Sequence, residues 1–338
     1  MTNLQTSYLG LQLRNPLVAS ASPLSNTTSG IRQMADGGVG AIVMYSMLEE
    51  QLRYESARDV MLEEVHSESF AESLSYFPHV STESGGVSYR YLHLLEQAVA
   101  DVNIPVIASL NGSTRGGWVE FARQLQDAGA HAIELSIYLI PGNVSTAGSE
   151  VEERHVDILT SVKSAVTIPV AVKLSPYFSS MGQMARRLDE AGADGLVMFQ
   201  RFIQPHIDIE SMTVESGAEL SNPIEGRVPQ TWIATLRGRI RASLAGTTGV
   251  ATAADVVTYL LAGADVVMTT SALLRHGPGY ARVLLDGLEA WMAGKGVQDV
   301  AAMRGLLAVP SEADAGDYGR AGYVSALEKA KRRYGLGM

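Results

Sequence analysis

The 338-residue chain predicts an α/β fold, a (β/α)8 TIM barrel with long insertions after strands 2 and 6. Three observations predict it. Strand-like apolar runs recur at residues 16–21, 40–45, 105–110, 132–138, 169–174, 195–199, 242–245 and 265–268, each followed by a helical pattern, which makes the eight repeats that a closed parallel barrel requires. Small-residue junctions precede several of these runs: Gly37-Gly38-Val39-Gly40-Ala41, Ala128-Gly129-Ala130-His131, Ala191-Gly192-Ala193-Asp194 and Ala262-Gly263-Ala264-Asp265. Each places a glycine where a helix C-cap needs a left-handed residue. The last two runs empty into turns rich in glycine and hydroxyls, and the loops after strands 7 and 8 are where such barrels commonly hold a phosphate.

In chain order, strand 1 ends in the small pair Ala19-Ser20, either a tight strand end or a place where a planar ligand approaches the backbone. Strand 2 ends at Tyr45, a phenol expected at the mouth. Strands 3 and 5 are introduced by Ile104-Pro105-Val106 and Ile168-Pro169-Val170. Strand 3 runs into Asn111, which faces the mouth, and Gly112-Ser113-Thr114-Arg115-Gly116-Gly117, a turn that cradles an anion or simply precedes the helix starting near Trp118. Strand 4 continues as Ser136-Ile137-Tyr138-Leu139-Ile140-Pro141; neighbouring strand residues alternate faces, so Ser136 and Tyr138 share one. Lys173 stands near the top of strand 5, where an amine withdrawn from water needs a partner. Strand 6 leads into Gln200-Arg201. After strand 7 the turn Gly246-Thr247-Thr248-Gly249 exposes backbone N–H groups and feeds a helix over 253–261 with Thr252 as its N-cap; strand 8 leaves through Thr269-Thr270-Ser271-Ala272-Leu273.

Two segments break the rhythm of short loops. Residues 47–88 and 200–229 follow strands 2 and 6, are too long for passive connections, and leave the C-terminal ends of strands, so a lid and substrate walls are expected there. Residues 1–310 form the barrel and 311–338 a C-terminal amphipathic helical extension. Its Lys329, Lys331, Arg332 and Arg333 complement the dipole of a helix ending at Gly335, which explains them without a basic binding patch.

A net charge of −10 argues against a nucleic-acid surface. No apolar stretch approaches the roughly 18 residues that span a bilayer. There is no basic-then-apolar leader, and the absence of cysteine excludes disulfides, thiolate nucleophiles and thiolate-bound metal, which fits a cytoplasmic protein without a membrane partner. Glu63-Glu64-Val65-His66 and His206-Ile207-Asp208 carry metal-capable side chains without helical i, i+4 spacing and read as solvated loops.

Several of these motifs carry a resemblance. Asn15-Pro16-Leu17-Val18-Ala19-Ser20, Val172-Lys173-Leu174-Ser175-Pro176-Tyr177-Phe178, the Gly-Thr-Thr-Gly and Thr-Ser-Ala-Leu elements and Gly277-Pro278 resemble the dihydroorotate dehydrogenases, FMN-containing (β/α)8 barrels, over residues 9–291. Phe199-Gln200-Arg201-Phe202 with Gln204-Pro205 is similar to a divergent, dihydroorotate dehydrogenase-like branch. The resemblance implies that Ala19, Ser20 and Gln200 line the flavin and that Lys173 faces its pyrimidine edge, where a fixed cation stabilises the charge of reduced FMN; a salt bridge to a neighbouring strand is the alternative. It also implies that backbone at Thr248, Gly249, Thr270 and Ser271 holds the phosphate, and that Asn111 and Arg201 contact substrate.

The departures bear on chemistry. Where the family carries Asn-Leu-Ser-Cys-Pro-Asn, its catalytic cysteine or serine aligns with Leu139, which cannot accept a proton, and both substrate-holding asparagines are lost. Tyr45 replaces a family lysine, and Thr248 and Thr270 stand where glycines are usual. The expectation is an FMN-dependent oxidoreductase acting on a small carbonyl or cyclic CH–CH substrate other than dihydroorotate, with proton transfer by Ser136, Tyr138 or Tyr45. A homo-oligomer, a dimer, is expected, and any iron–sulfur or other electron-transfer partner is a separate chain. Two alternatives stay open: a non-redox barrel enzyme on a phosphorylated metabolite with Lys173 as electrostatic group or nucleophile, and a cofactor-free partner subunit.

Overall fold

Eight parallel strands close into a barrel in the order in which the chain supplies them: β1 (Leu17–Ala19), β2 (Ala41–Leu48), β3 (Val106–Gly112), β4 (Ala132–Ile137), β5 (Val170–Leu174), β6 (Gly195–Met198), β7 (Ser243–Gly246) and β8 (Val266–Thr269), with β8 paired to β1. The computed structural model describes residues 2–55, 86–114, 118–201, 205–215, 217 and 219–335, and every strand overlaps the run expected for it. The surrounding helices are α1 (Thr28–Gly37), α2 (Val87–Asp101), α3 (Trp118–Asp127), α4 (Gly148–Ala165), α5 (Met181–Glu190), α6 (Arg227–Leu236), α7 (Ala253–Ala262), the short α8 (Ser271–His276) and α9 (Tyr280–Lys295). The junction glycines Gly38, Gly129, Gly192 and Gly263 all adopt positive φ, as the C-cap argument requires.

The two-residue period of each strand separates two cores. On β5, Ala171 points into the barrel while Val170, Val172 and Leu174 pack against the helices; on β4, Ala132 points in while Ile133, Leu135 and Ile137 point out. Glu134, Ser136 and Lys173 therefore occupy inward positions.

The N-terminal end of the barrel is plugged by an antiparallel hairpin, Thr6–Tyr8 with Leu11–Leu13. Both turn residues have positive φ, Leu9 at 55° and Gly10 at 76°, the pattern of a tight type I′ connection. Leucine is unusual there, and packing explains it: Leu9 is buried in the barrel interior, and a Cβ on Gly195 would lie 2.5 Å from its Cδ2. Thr6 Oγ1 donates to Asp265 O at 2.9 Å, the Leu9 N–H to Ser243 Oγ at 3.2 Å, and Asn3 bridges to Asp299.

The strand 2 insertion begins as helix over 49–55, and residues 56–85, with Glu63-Glu64-Val65-His66, lie outside the described residues, as do 115–117 and 202–204. The strand 6 insertion contains a hairpin, His206–Asp208 with Thr213–Glu215, and a 3-10 turn, Pro223–Gly226. At the other end of the chain, Leu307 and Val309 donate their N–H groups to Leu261 O and Ala234 O at 2.9 Å, tying the exit from the barrel to α7 and α6. The short α10 (Val300–Met303) precedes the extension, which forms α11 (Ala315–Arg333); α11 buries none of its residues and carries Lys331, Arg332 and Arg333 in its last turn. Among the described residues no helix is long and apolar enough to cross a membrane, and no group of three or more His, Asp or Glu is placed to hold a metal.

Candidate functional site

Strand register assembles the floor of the site. Asn111 of β3 pairs with Ser136 of β4, and Ser136 with Lys173 of β5, so three residues singled out in the sequence stand side by side. Lys173 Nζ lies 3.1 Å from Glu134 Oε1, with the two side chains 14% and 1% exposed. The salt bridge to a neighbouring strand is thus present, and Lys173 nonetheless lines the cavity above it. Below the pair, Glu134 Oε2 and Tyr8 Oη are the buried side-chain atoms without a hydrogen-bond partner among the described residues. Burial, then the charges of Glu134 and Asp265, pushes the Tyr8 phenol well above its ordinary range.

A cavity of about 340 Å3 opens over the ends of β1 and β5 to β8, within the usual range of ligand pockets, roughly 300–1,000 Å3. Ser20, Lys173, Arg201, Thr248, Gly249, Thr270 and Ser271 all line it. Phe199 and Thr247, named in the sequence only as members of motifs, line it as well, and so do Ser22 and Ser221, which sequence reasoning did not single out.

The turn after β7 is shaped from behind. Tyr259 of α7 donates to Thr247 O at 2.6 Å and Thr248 O at 2.7 Å, and Gly246 makes room for its ring, since a Cβ there would lie 2.2 Å from Tyr259 Cδ1. Thr248 is held at φ 77°, a rare conformation for a β-branched residue, while its hydroxyl donates to Phe199 O at 3.0 Å. Gly249 differs from expectation. Its N–H donates to Ser221 Oγ at 3.3 Å, and a Cβ would lie 2.7 Å from Gly226 N, so the glycine serves the docking of the strand 6 insertion. Ser221 also donates through Oγ to Ser271 Oγ at 3.0 Å, joining the turns after β7 and β8. The Thr270 hydroxyl donates to Ser20 O at 3.1 Å, while the N–H groups of Thr248 and Thr270 have no partner among the described residues.

Other expected site residues fall elsewhere. Ala19 packs in the outer core between strands and helices. Tyr45, expected at the mouth, packs edge-on against Tyr91 of α2 with ring centroids 4.9 Å apart, and burial raises its phenol pKa. The cause is a register shift between Val43 and Ser46: the bulge turns Ser46 inward, where its Oγ lies 2.8 Å from Ser109 Oγ. Gln200 spends both ends of its amide, accepting from Ser136 Oγ at 2.9 Å and donating to Ile137 O at 3.2 Å. With Arg201 it lines a second cavity of about 330 Å3, and Phe199, Arg201 and Thr248 form the wall shared with the first. Arg201 is paired with Glu225 at 3.2 Å and donates to Glu219 O, so its charge is already balanced. Tyr138, half-buried, leaves β4 with its N–H on Gly112 O at 3.2 Å. Leu139 lines a third cavity of about 240 Å3 with His155 and Phe178.

These features define a parallel (β/α)8 barrel whose C-terminal mouth holds a cavity lined by hydroxyls, open backbone N–H groups and the Lys173 side chain. The chain belongs to the dihydroorotate dehydrogenase family, whose sequence profile, described as "Dihydroorotate dehydrogenase", matches residues 3–292. It is 26% identical over 313 residues to the "Dihydroorotate dehydrogenase B (NAD(+)), catalytic subunit" of Methanothermobacter thermautotrophicus, covering 90% of this chain and 98% of that protein. To the proteins of the same description from Halalkalibacterium halodurans and Thermoplasma acidophilum it is 31% identical over 210 residues (60% and 68% covered) and 26% over 298 (86% and 94%). Family membership makes the chain a dihydroorotate dehydrogenase-like oxidoreductase of the class acting on CH–CH groups. The family is FMN-dependent in general, and the donor set fits that group: Thr248, Thr270 and Ser271 suit a phosphate, Ser20 and Ser22 a polyol chain, and Lys173 a ring edge that gains negative charge.

Proposed function

We propose that this chain is an FMN-dependent oxidoreductase acting on a CH–CH or small carbonyl substrate other than dihydroorotate. FMN, when bound, supplies the two-electron chemistry that no side chain of this protein provides. Lys173, held by Glu134 on the cavity floor, places a cation where charge develops. Thr248 and Thr270 offer backbone N–H groups to the phosphate, with the Ser271 hydroxyl beside them. Ser136 and Tyr138 are the candidates for proton transfer at the end of β4, and Asn111 stands beside Ser136 toward the substrate.

The observation that carries the choice of substrate is Leu139. In the ungapped resemblance the family's base falls at Leu139, a side chain without a lone pair that lines an apolar cavity with Phe178. The ion pair of Lys173 argues against the nucleophile form of the non-redox reading, because an amine nucleophile must be free and neutral. The relatives named catalytic subunits support a separate electron-transfer partner and a small-molecule substrate.

Mass spectrometry of the small molecule released on denaturation tests the cofactor, with FMN expected. Steady-state assays of flavin-loaded protein with dihydroorotate and either fumarate or NAD test the substrate, with negligible turnover expected. Robust turnover would return the chain to the activity named for its relatives.

A further inference from the structure

Glu134 is the most deeply buried carboxylate among the described residues, 1% exposed on the axis of the barrel. It pairs in register with Ala171 and so sits one step below Lys173, the only side chain among the described residues to which its carboxylate is bonded. Its second oxygen has no partner there. A carboxylate bonded to one ammonium and otherwise enclosed by barrel side chains lies in a low-dielectric interior, where its charge acts on whatever that ammonium faces. The rest of the cavity does not dilute the effect, because Arg201 is balanced by Glu225 and Glu219 is exposed at the rim.

We propose, on the footing of the FMN reading above, that Glu134 is a positioning residue and counter-charge for Lys173 that limits how strongly the Lys173 ammonium favours reduced over oxidised FMN. With the pair intact the charge beneath the cavity is close to zero. Glu134→Gln keeps an oxygen within reach of Lys173 Nζ and nearly the same volume, so it removes the charge and keeps the position. An uncompensated cation then faces the cofactor, and the reduced, negatively charged form gains.

The test is the reduction potential of the FMN-loaded wild type, E134Q, E134D and K173M proteins. The sign discriminates: E134Q shifts the potential upward by at least a tenfold change in the ratio of affinities for reduced and oxidised FMN, about 30 mV for a two-electron couple. K173M shifts it downward, and E134D, which keeps the charge, stays near the wild type. An E134Q potential that is unchanged or lower, with the K173M shift present, overturns the proposal. Thermal unfolding of the flavin-free proteins gives a second readout: K173M strands the buried carboxylate and lowers the midpoint, and adding E134Q restores it. Absence of that recovery also overturns the proposal. A chain that takes up no FMN defeats the functional reading and this inference together, whereas uptake with an unmoved E134Q potential defeats this inference alone.

Discussion

Lys173 and Glu134 face each other across adjacent strands, 3.1 Å apart, with the lysine looking into the cavity and the glutamate away from it. Removing the lysine leaves a buried, uncompensated carboxylate, so Lys173→Ala should cost about 3–5 kcal/mol of stability in denaturant titrations of the flavin-free protein. In the flavin-loaded protein the same change should slow reduction by substrate more than it weakens FMN binding, because the cation matters most when charge has developed. Equal effects on both would make Lys173 a ground-state contact.

At the phosphate end, Thr270→Glu should lower FMN affinity at least about a hundredfold, since an added carboxylate meets the phosphate in a partly buried cavity. The thermal midpoint of the flavin-free protein should barely change. Gly249→Ala should behave in the opposite way. Its positive φ and the 2.7 Å approach to Gly226 N make it destabilising by about 1–3 kcal/mol whether or not flavin is present. Fluorescence titration with FMN, read beside thermal melts, separates the two.

His155 of α4 is buried, with Nδ1 2.7 Å from Val151 O and its ring edge-on to Phe178. Burial, the largest cause, lowers its pKa in the folded protein. Between that lowered value and about 6.5 the unfolded chain binds more protons than the folded one, so stability rises with pH across this window and is fully present above it. Melts from about pH 7 down to about pH 5.5 should show a falling midpoint, and His155→Gln should remove part of that slope. A slope identical in the variant would place the titrating group elsewhere.

Leu9 sets two effects against each other, because its side chain fills the barrel floor while its backbone sits in the left-handed region. Leu9→Gly relaxes the turn and empties the floor. The lost burial should win, with a net loss of about 2–4 kcal/mol in chemical unfolding. A neutral outcome would mean that relief of backbone strain matches the whole of the lost burial.

How much of this was legible in the sequence depends on where the causes lie. All eight strands were visible because apolar periodicity and junction glycines are local signals, and the helix after β7 begins at Ala253 behind Thr252 as its N-cap pattern implied. The plug hairpin was not, since Leu9 is not a residue that marks the first central position of a type I′ turn, and the room for its side chain comes from Gly195, far along the chain. The bulge that swings Tyr45 outward has no mark in the local residues. Glu134 lay two positions before Ser136 on the same face, so the strand period pointed at it; its partner became evident only once register set β4 against β5. Ser221 joins two turns through contacts that only the tertiary fold creates.

The plug also sets an order of events in folding. Its bonds reach from Thr6 to Asp265, Leu9 to Ser243 and Asn3 to Asp299, spanning most of the chain, and the closing pair of strands is β8 with β1. During synthesis the plug therefore emerges before the barrel strands and waits for β7 and β8 before its partners can receive it. Each doubling of the intervening length adds only about 0.6 kcal/mol of closure entropy, yet contacts this remote slow the search for them. Closure of the ring and seating of its floor both need β7 or β8, and a chain cut short before β7 has neither.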